Sequence, residues 1–196
     1  TNYGENKSFT TSNKPDTGEI NGHEYVDLGL PSGLKWATCN VGANSPEMPG
    51  GYYAWGELET KDYYEGENCS TYNVEMEDIS GDPDYDVARK KWGSTWRMPK
   101  MNEANELFNN CSKENIVING RECTKLTSYI NGNSIILPCT GWMSYANNAY
   151  YNVYGRYWTS TPKYNNDYNS YHFTNLGSDE SYSARFWGLS IRPVSE

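Results

Sequence analysis

The apolar positions of this chain change period along its length. Residues 1–20 carry turn formers and polar side chains with no hydrophobic repeat, so they read as a flexible N-terminal tether ahead of a domain spanning 21–196. His23–Leu28 and Leu34–Thr38 are short strand-like runs, and the Pro and Gly residues of Gly29-Leu-Pro-Ser-Gly33 predict an opening hairpin. Gly50–Gly56 is a third, aromatic strand candidate, with glycines where backbones or rings must approach closely. The acidic stretch from Glu57 to Asp86 reads as a long surface excursion.

Helical spacing follows. Asp84 or Asp86 can cap a short helix over Val87–Trp92, with Lys90 and Lys91 at its negative end and Gly93 as its stop. After Pro99, the spacing of Ala104, Leu107, Phe108 and Cys111 predicts a second helix from about Met101 to Asn110. Ile116–Ile118, Cys123–Tyr129 and Ser134–Leu137 are β-branched runs punctuated by Asn119-Gly120 and Asn131-Gly132, a strong hairpin signal. Two early helices and late hairpins predict an α+β domain.

The last third changes the picture most. Half of the 18 tyrosines lie between Tyr145 and Tyr182, interleaved with asparagine and serine. Tyrosine supplies a stiff amphipathic surface and asparagine and serine supply adaptable hydrogen bonds, as binding loops require. The candidate ligand-binding residues are Tyr145, Asn147, Asn148, Tyr150, Tyr151, Tyr164, Asn165, Asn166, Asp167, Tyr168, Asn169, Tyr171, Ser181, Tyr182 and Phe186, taken as one surface. Trp158 and Trp187 could stack on sugar rings, but their places in framework motifs assign both to the core. With few aliphatic residues, Trp36, Trp55, Trp92, Trp96, Trp142, Trp158 and Trp187 must carry much of the packing.

Charge and chemistry narrow the function. A formal charge of -9 and a pI near 4.8 argue against a nucleic-acid or anionic-membrane partner. No apolar run approaches the roughly 20 residues of a membrane span, and no signal-peptide pattern is present, which suggests a mature or trimmed product. Cys39, Cys69, Cys111, Cys123 and Cys139 form no Cys-x-x-Cys pair, and with only His23 and His172 as soft companions a zinc site is not expected. The odd count leaves at least one free thiol; two bridges or none are both open. Asp82-Pro-Asp-Tyr-Asp86 spaces carboxylates as a calcium loop might, but lacks its sixth-position glycine and has Gly93 where the twelfth-position glutamate belongs. A helix cap is the better reading. His172 reads as a partly exposed strand histidine rather than a general base, so neither a catalytic residue nor a cofactor is expected.

The order and spacing of many motifs carry a resemblance. They include Tyr25–Ala43, Gly51–Glu57, Ile79–Gly81, Tyr85–Ala88, Trp92–Gly93, Trp96–Pro99, Gly132–Pro138, Gly155–Ser160 and Gly188–Val194. Across nearly the whole span from Tyr25 to Val194 the chain resembles the Fibrobacter succinogenes major paralogous domain, a repeat-prone module of bacterial surface proteins. The resemblance implies a C-type lectin-like fold: two helices beside a twisted mixed or antiparallel sheet, long irregular loops, and chain ends brought together with the segment near Val26 paired against that near Ile191. It also implies a cell-surface location. Calcium-dependent sugar-binding relatives carry Glu-Pro-Asn or Gln-Pro-Asp and a late Trp-Asn-Asp, and none of these is present. Formylglycine-generating enzymes of similar fold need a late cysteine pair, whereas no cysteine follows Cys139.

Some lectin-like domains with such an ending are variable proteins of diversity-generating retroelements, in which asparagine codons are rewritten toward Tyr, Ser, Asp, His and Phe. Tyr164–His172 and Ser181–Phe186 have that composition. The function expected is a calcium-independent, non-enzymatic ligand-binding or adhesion module for a protein or a glycan. The alternative is a structural or repeat module without a specific ligand.

Overall fold

The computed structural model describes residues 17–179 and 181–196. Its first strand, β1 (Thr17–Ile20), turns through Asn21-Gly22 into β2 (His23–Asp27), and both turn residues have positive φ (49° and 81°), as a tight hairpin requires. The expected tether of residues 1–20 therefore overreaches, because residues 17–20 are paired strand. Its remainder lies outside the described residues.

β3 (Lys35–Ala37) completes the predicted opening hairpin with β2, and the C-terminal β12 (Val194–Ser195) pairs with β3, giving the antiparallel order β1-β2-β3-β12. The first and last strands of the described residues thus share one sheet. The expected direct pairing of Val26 with the Ile191 region is corrected: Trp36 stands between Val26 and Val194, and the Ile191 carbonyl accepts instead from Val41 N (3.0 Å).

The third strand expected over Gly50–Gly56 does not form. Gly50 and Gly56 at its two ends adopt left-handed φ (71° and 75°), and between them the backbone bonds in turn to Val41, Leu189 and Arg185, leaving a single bridge between Tyr53 and Leu189. The excursion from Glu57 to Asp86 is irregular as expected, with one short 3-10 turn at Gly66–Asn68, but it is not merely superficial. Tyr64, Cys69, Thr71 and Ile79 are buried, and Tyr64 Oη donates to Tyr52 O (2.6 Å).

Both predicted helices are present. In α1 (Val87–Trp92), Asp86 is the N-cap: its Oδ1 accepts from Ala88 N (2.9 Å) and Arg89 N (3.1 Å), and Gly93 at φ 65° ends the helix. The second Asp86 oxygen accepts from Gly81 N and Met98 N, both at 2.8 Å, so the cap also ties two flanking segments. α2 (Met101–Asn109) buries Met101, Ala104 and Leu107 at helical spacing. Glu103 anchors its first turn, accepting from Lys100 N and from both Arg97 Nη atoms at 2.8 Å.

β4 (Cys111–Ile118), β5 (Arg121–Ser128) and β6 (Ser134–Pro138) form the predicted double hairpin, with Asn119 (φ 51°) and Gly120 (φ 77°) at the first turn. β7 (Trp142–Ser144) and β8 (Asn147–Ala149) make a small ribbon. β9 (Arg156–Pro162), β10 (Asn169–Thr174) and β11 (Tyr182–Ala184) form an antiparallel sheet in the order β11-β10-β9. The architecture is α+β, mostly β with two helices, and its strands divide among several antiparallel sheets rather than one.

Aromatic rings fill the interior. One cluster gathers Trp55, Trp92, Trp96, Trp142 and Trp158; another gathers Trp36, Tyr157 and Phe173 around Leu28, Leu107, Leu126 and Leu137. A buried aromatic side chain removes some 150–250 Å² from water, an upper bound of roughly 4–6 kcal/mol each at 25 cal/mol per Å². Six tryptophans are buried as expected, whereas Trp187 is only half-buried.

The segment Gly188–Val194 sews the sheets together. Its carbonyls accept in turn from Met143 N (2.7 Å, to Gly188) and from Tyr53, Trp158, Val41, Ala37 and Arg97 N (each 3.0 Å, to Leu189, Ser190, Ile191, Pro193 and Val194). Arg192 is fully buried, donating to Asn40 Oδ1 (2.8 Å) and Ala37 O (3.1 Å). No helix among the described residues is long and apolar enough to cross a membrane.

Candidate functional site

The candidate residues sit on or between β7 and β11, apart from Phe186 just after β11, and their footing is rigid. On β9, Tyr157, Trp158, Thr159 and Ser160 are all buried. Trp158 Nε1 donates to Tyr53 O (2.8 Å), Trp55 Nε1 to Thr159 O (2.9 Å), and Tyr157 stacks on Phe173 of β10 at 5.0 Å. Arg185 lies beneath with its guanidinium 4.4 Å from the Trp55 ring. It donates to Ser170 Oγ (3.0 Å), Thr71 O (3.1 Å) and Val74 O (2.6 Å). Burial of this cation lowers its pKa, and hydrogen bonds to neutral acceptors compensate.

On this footing stands a run of rings. Tyr168 packs on Tyr72 (5.2 Å), Tyr72 on Phe186 (5.2 Å), Phe186 on Trp187 (6.5 Å), Trp187 on Trp142 (5.9 Å) and Trp142 on Tyr150 (5.0 Å). The Arg156 guanidinium lies 3.7 Å from the Trp142 ring and 5.4 Å from Trp187, which is half-buried, packing against the core cluster while also forming part of the shelf. The run ends in exposed tyrosines, Tyr168 at 47% and Tyr150 at 62%. Tyr145, half-exposed on the β7–β8 turn, packs on Tyr63 (5.6 Å), and its backbone bridges Tyr64. Tyr145 and Tyr150 both adopt φ 55°, a left-handed conformation that bulky residues seldom take. Gly141 permits the ribbon's close fold: a Cβ there would strike Ala149 O, the Asn148 side chain and Tyr151 N.

The other candidates divide. Tyr164, Asn165, Asp167 and Tyr171 line a cleft of about 710 Å³ opposite Glu75–Asp78. Tyr171 and Tyr182 are cross-strand partners, and Lys163 Nζ sits 3.1 Å from the centre of the Tyr182 ring. Asn147 is exposed, while Asn148 Nδ2 donates to Tyr52 Oη (2.8 Å), a phenol that burial pushes up to about 12. Tyr151 stands apart, under the Arg121 guanidinium (5.7 Å) at the β4–β5 end. Asn166 and Asn169 are engaged in the turn itself: Asn166 Oδ1 accepts from Tyr168 N (3.1 Å) and Asn169 Nδ2 (3.0 Å). Ser181 is half-buried, its carbonyl accepting from His172 N (3.0 Å).

His172 is corrected from partly exposed to buried. It lies on the inward face of β10, edge-on to Trp158 (6.4 Å), with Nδ1 3.3 Å from Ser183 Oγ. Burial first, and the Arg156 charge second, lower its pKa to about 3, so the ring is neutral. All five cysteines are free thiols, and burial pushes Cys111 and Cys139 up to about 11, away from nucleophile behaviour. Among the described residues no three His, Cys, Asp or Glu side chains converge as a metal-holding group.

Sequence reasoning missed the partners from 57–86: Tyr63, Tyr72 and the acidic wall of the cleft. The aromatic density of Tyr63-Tyr64 and Tyr72 was the available signal. Compared with protein-family models, curated proteins and solved structures, the chain gives no match.

Proposed function

We propose that this chain is a calcium-independent, non-enzymatic ligand-binding or adhesion module at a bacterial cell surface, with a C-type lectin-like fold of the Fibrobacter paralogous-domain kind. The observation that carries the proposal is the unbroken run of rings from Tyr168 to Tyr150, exposed at both ends and supported by a buried tryptophan framework. Rigid amphipathic rings with polar neighbours give large contact area at low entropic cost, suited to a protein epitope or a glycan. The fold reading is supported by the sheet shared between β1 and β12, the two helices, and the concentration of candidate residues between β7 and β11.

Diversification by a retroelement fits this arrangement in part. Tyr164, Asn165, Tyr168 and Tyr182 are exposed and could vary freely, whereas Ser170, His172, Ser183 and Arg185, in the same two segments, are buried and would have to be spared. The experiment is a screen of the intact chain against glycan and cell-surface protein arrays. A saturable ligand supports the module reading; a folded chain that binds nothing on either array favours a structural spacer.

A further inference from the structure

The cleft beside β9 is built asymmetrically. One wall is the irregular segment Val74–Asp78, held at its ends by Asn73 N donating to Asp167 O (3.0 Å) and Ile79 N donating to Ser160 O (3.2 Å). Between these anchors, the backbone N–H groups of residues 74–78 donate to no acceptor among the described residues. The opposite wall carries the Tyr164 and Tyr171 rings, with Tyr164 83% exposed. At about 710 Å³, the space exceeds what one side chain fills.

Its charge is unbalanced. Glu75, Glu77, Asp78 and Asp167 line it against two cations, Lys163 and Arg185. Lys163 Nζ rests on the Tyr182 ring, and Arg185 is in the floor with its guanidinium bonded to backbone and hydroxyl oxygens. Glu75 and Glu77 have no cationic partner within ion-pair distance among the described residues, and Asp78 is engaged only by Thr161 Oγ1 (2.9 Å) and Ser80 N (3.0 Å). An acidic wall facing tyrosine rings suits a lysine or arginine side chain, by ion pairing and by cation–π contact. The segment is largely exposed, so its amides are hydrated in the free chain and open to a peptide main chain laid along it.

We propose that this cleft takes a basic peptide segment of a protein partner, its cationic side chain lodged between the Glu75–Asp78 wall and the Tyr164 and Tyr171 rings. This deepens the module reading above and rests on it, choosing protein over glycan. The test uses the intact chain and short, end-blocked, fluorescently labelled peptides, comparing Lys- and Arg-containing sequences with versions in which those residues are Gln or Glu. Basic peptides should bind at least tenfold more tightly than their Gln versions, with affinity falling as salt rises. The combined variant Glu75→Gln, Glu77→Gln, Asp78→Asn should keep its melting temperature and weaken binding at least tenfold, whereas Tyr129→Ala, an exposed ring just after β5 and outside the cleft, should leave peptide binding unchanged. Equal binding of Gln peptides, indifference to the triple variant, equally tight binding of spermidine, or no peptide binding at all would each overturn the assignment. An array ligand lost on Tyr150→Ala but unaffected by the triple variant would leave the module reading standing and remove only this inference.

Discussion

His172 makes the fold measurably sensitive to mild acid. Its ring is buried against Trp158 and Ser183, with the Arg156 cation nearby and no carboxylate raising its pKa, which is lowered to about 3. In the unfolded chain the same imidazole titrates near its ordinary value of 6.5. Between these two values the unfolded state binds a proton that the folded state refuses, so stability is fully present above pH 6.5 and is lost as pH falls toward 3. From pH 7 to pH 5 the loss works out at about 2 kcal/mol from this single group. Carboxylates add their own pH dependence, so the measurement is a difference: urea unfolding of wild type and His172→Gln at pH 7, 6 and 5. The variant starts less stable, having lost packing, but its curve should be flatter by about 2 kcal/mol over that range. Parallel curves would show that His172 takes up its proton in the folded state as readily as in the unfolded one, and would refute the buried, neutral assignment.

Two further outcomes follow from the same structure. Asp86→Ala removes the acceptor of four backbone N–H groups, and at about 1 kcal/mol each, offset by relief of a buried carboxylate, it should cost roughly 3 kcal/mol in chemical denaturation; a loss below 1 kcal/mol would contradict its role as cap and tie. Thermal melts in millimolar calcium and in chelator should coincide, and a calcium-dependent rise of several degrees would show a cation site in the acidic loops.

Much of this fold was legible because short-range chemistry decided it. Asp86 and Gly93 bracket α1, Ala104 and Leu107 set the buried face of α2, and Asn119-Gly120 makes a hairpin turn, each from residues within a few positions of one another. The failures are long-range. Gly50–Gly56 has strand composition, but its backbone partners change along it, from Val41 to Leu189 to Arg185, so no continuous ladder forms and one bridge remains. His172 looked half-exposed because nothing local reveals that β10 lies between β9 and β11 over Trp158. Tyr145, Tyr150, Tyr164 and Tyr168 were legible as surface from their polar neighbours, whereas Trp187, read as core, packs against the core with one side and is half-exposed in the shelf with the other. The acidic wall at Glu75–Asp78 escaped notice because charge runs carry no record of the cleft they face.

The central claim is that the exposed rings bind and do not hold the fold together. The direct measurement is paired: melting temperature and ligand affinity for Tyr145→Ala, Tyr150→Ala, Tyr164→Ala, Tyr168→Ala and Tyr182→Ala, using the ligand recovered from the arrays. All five side chains are at least 47% exposed, so the melts should shift by no more than about 2 °C, as surface substitutions within about 0.5 kcal/mol do. One or more should weaken binding by about 2 kcal/mol or more, roughly thirtyfold, as an aromatic anchor does. Five variants that unfold together, or five that stay folded and bind like wild type, would contradict the account.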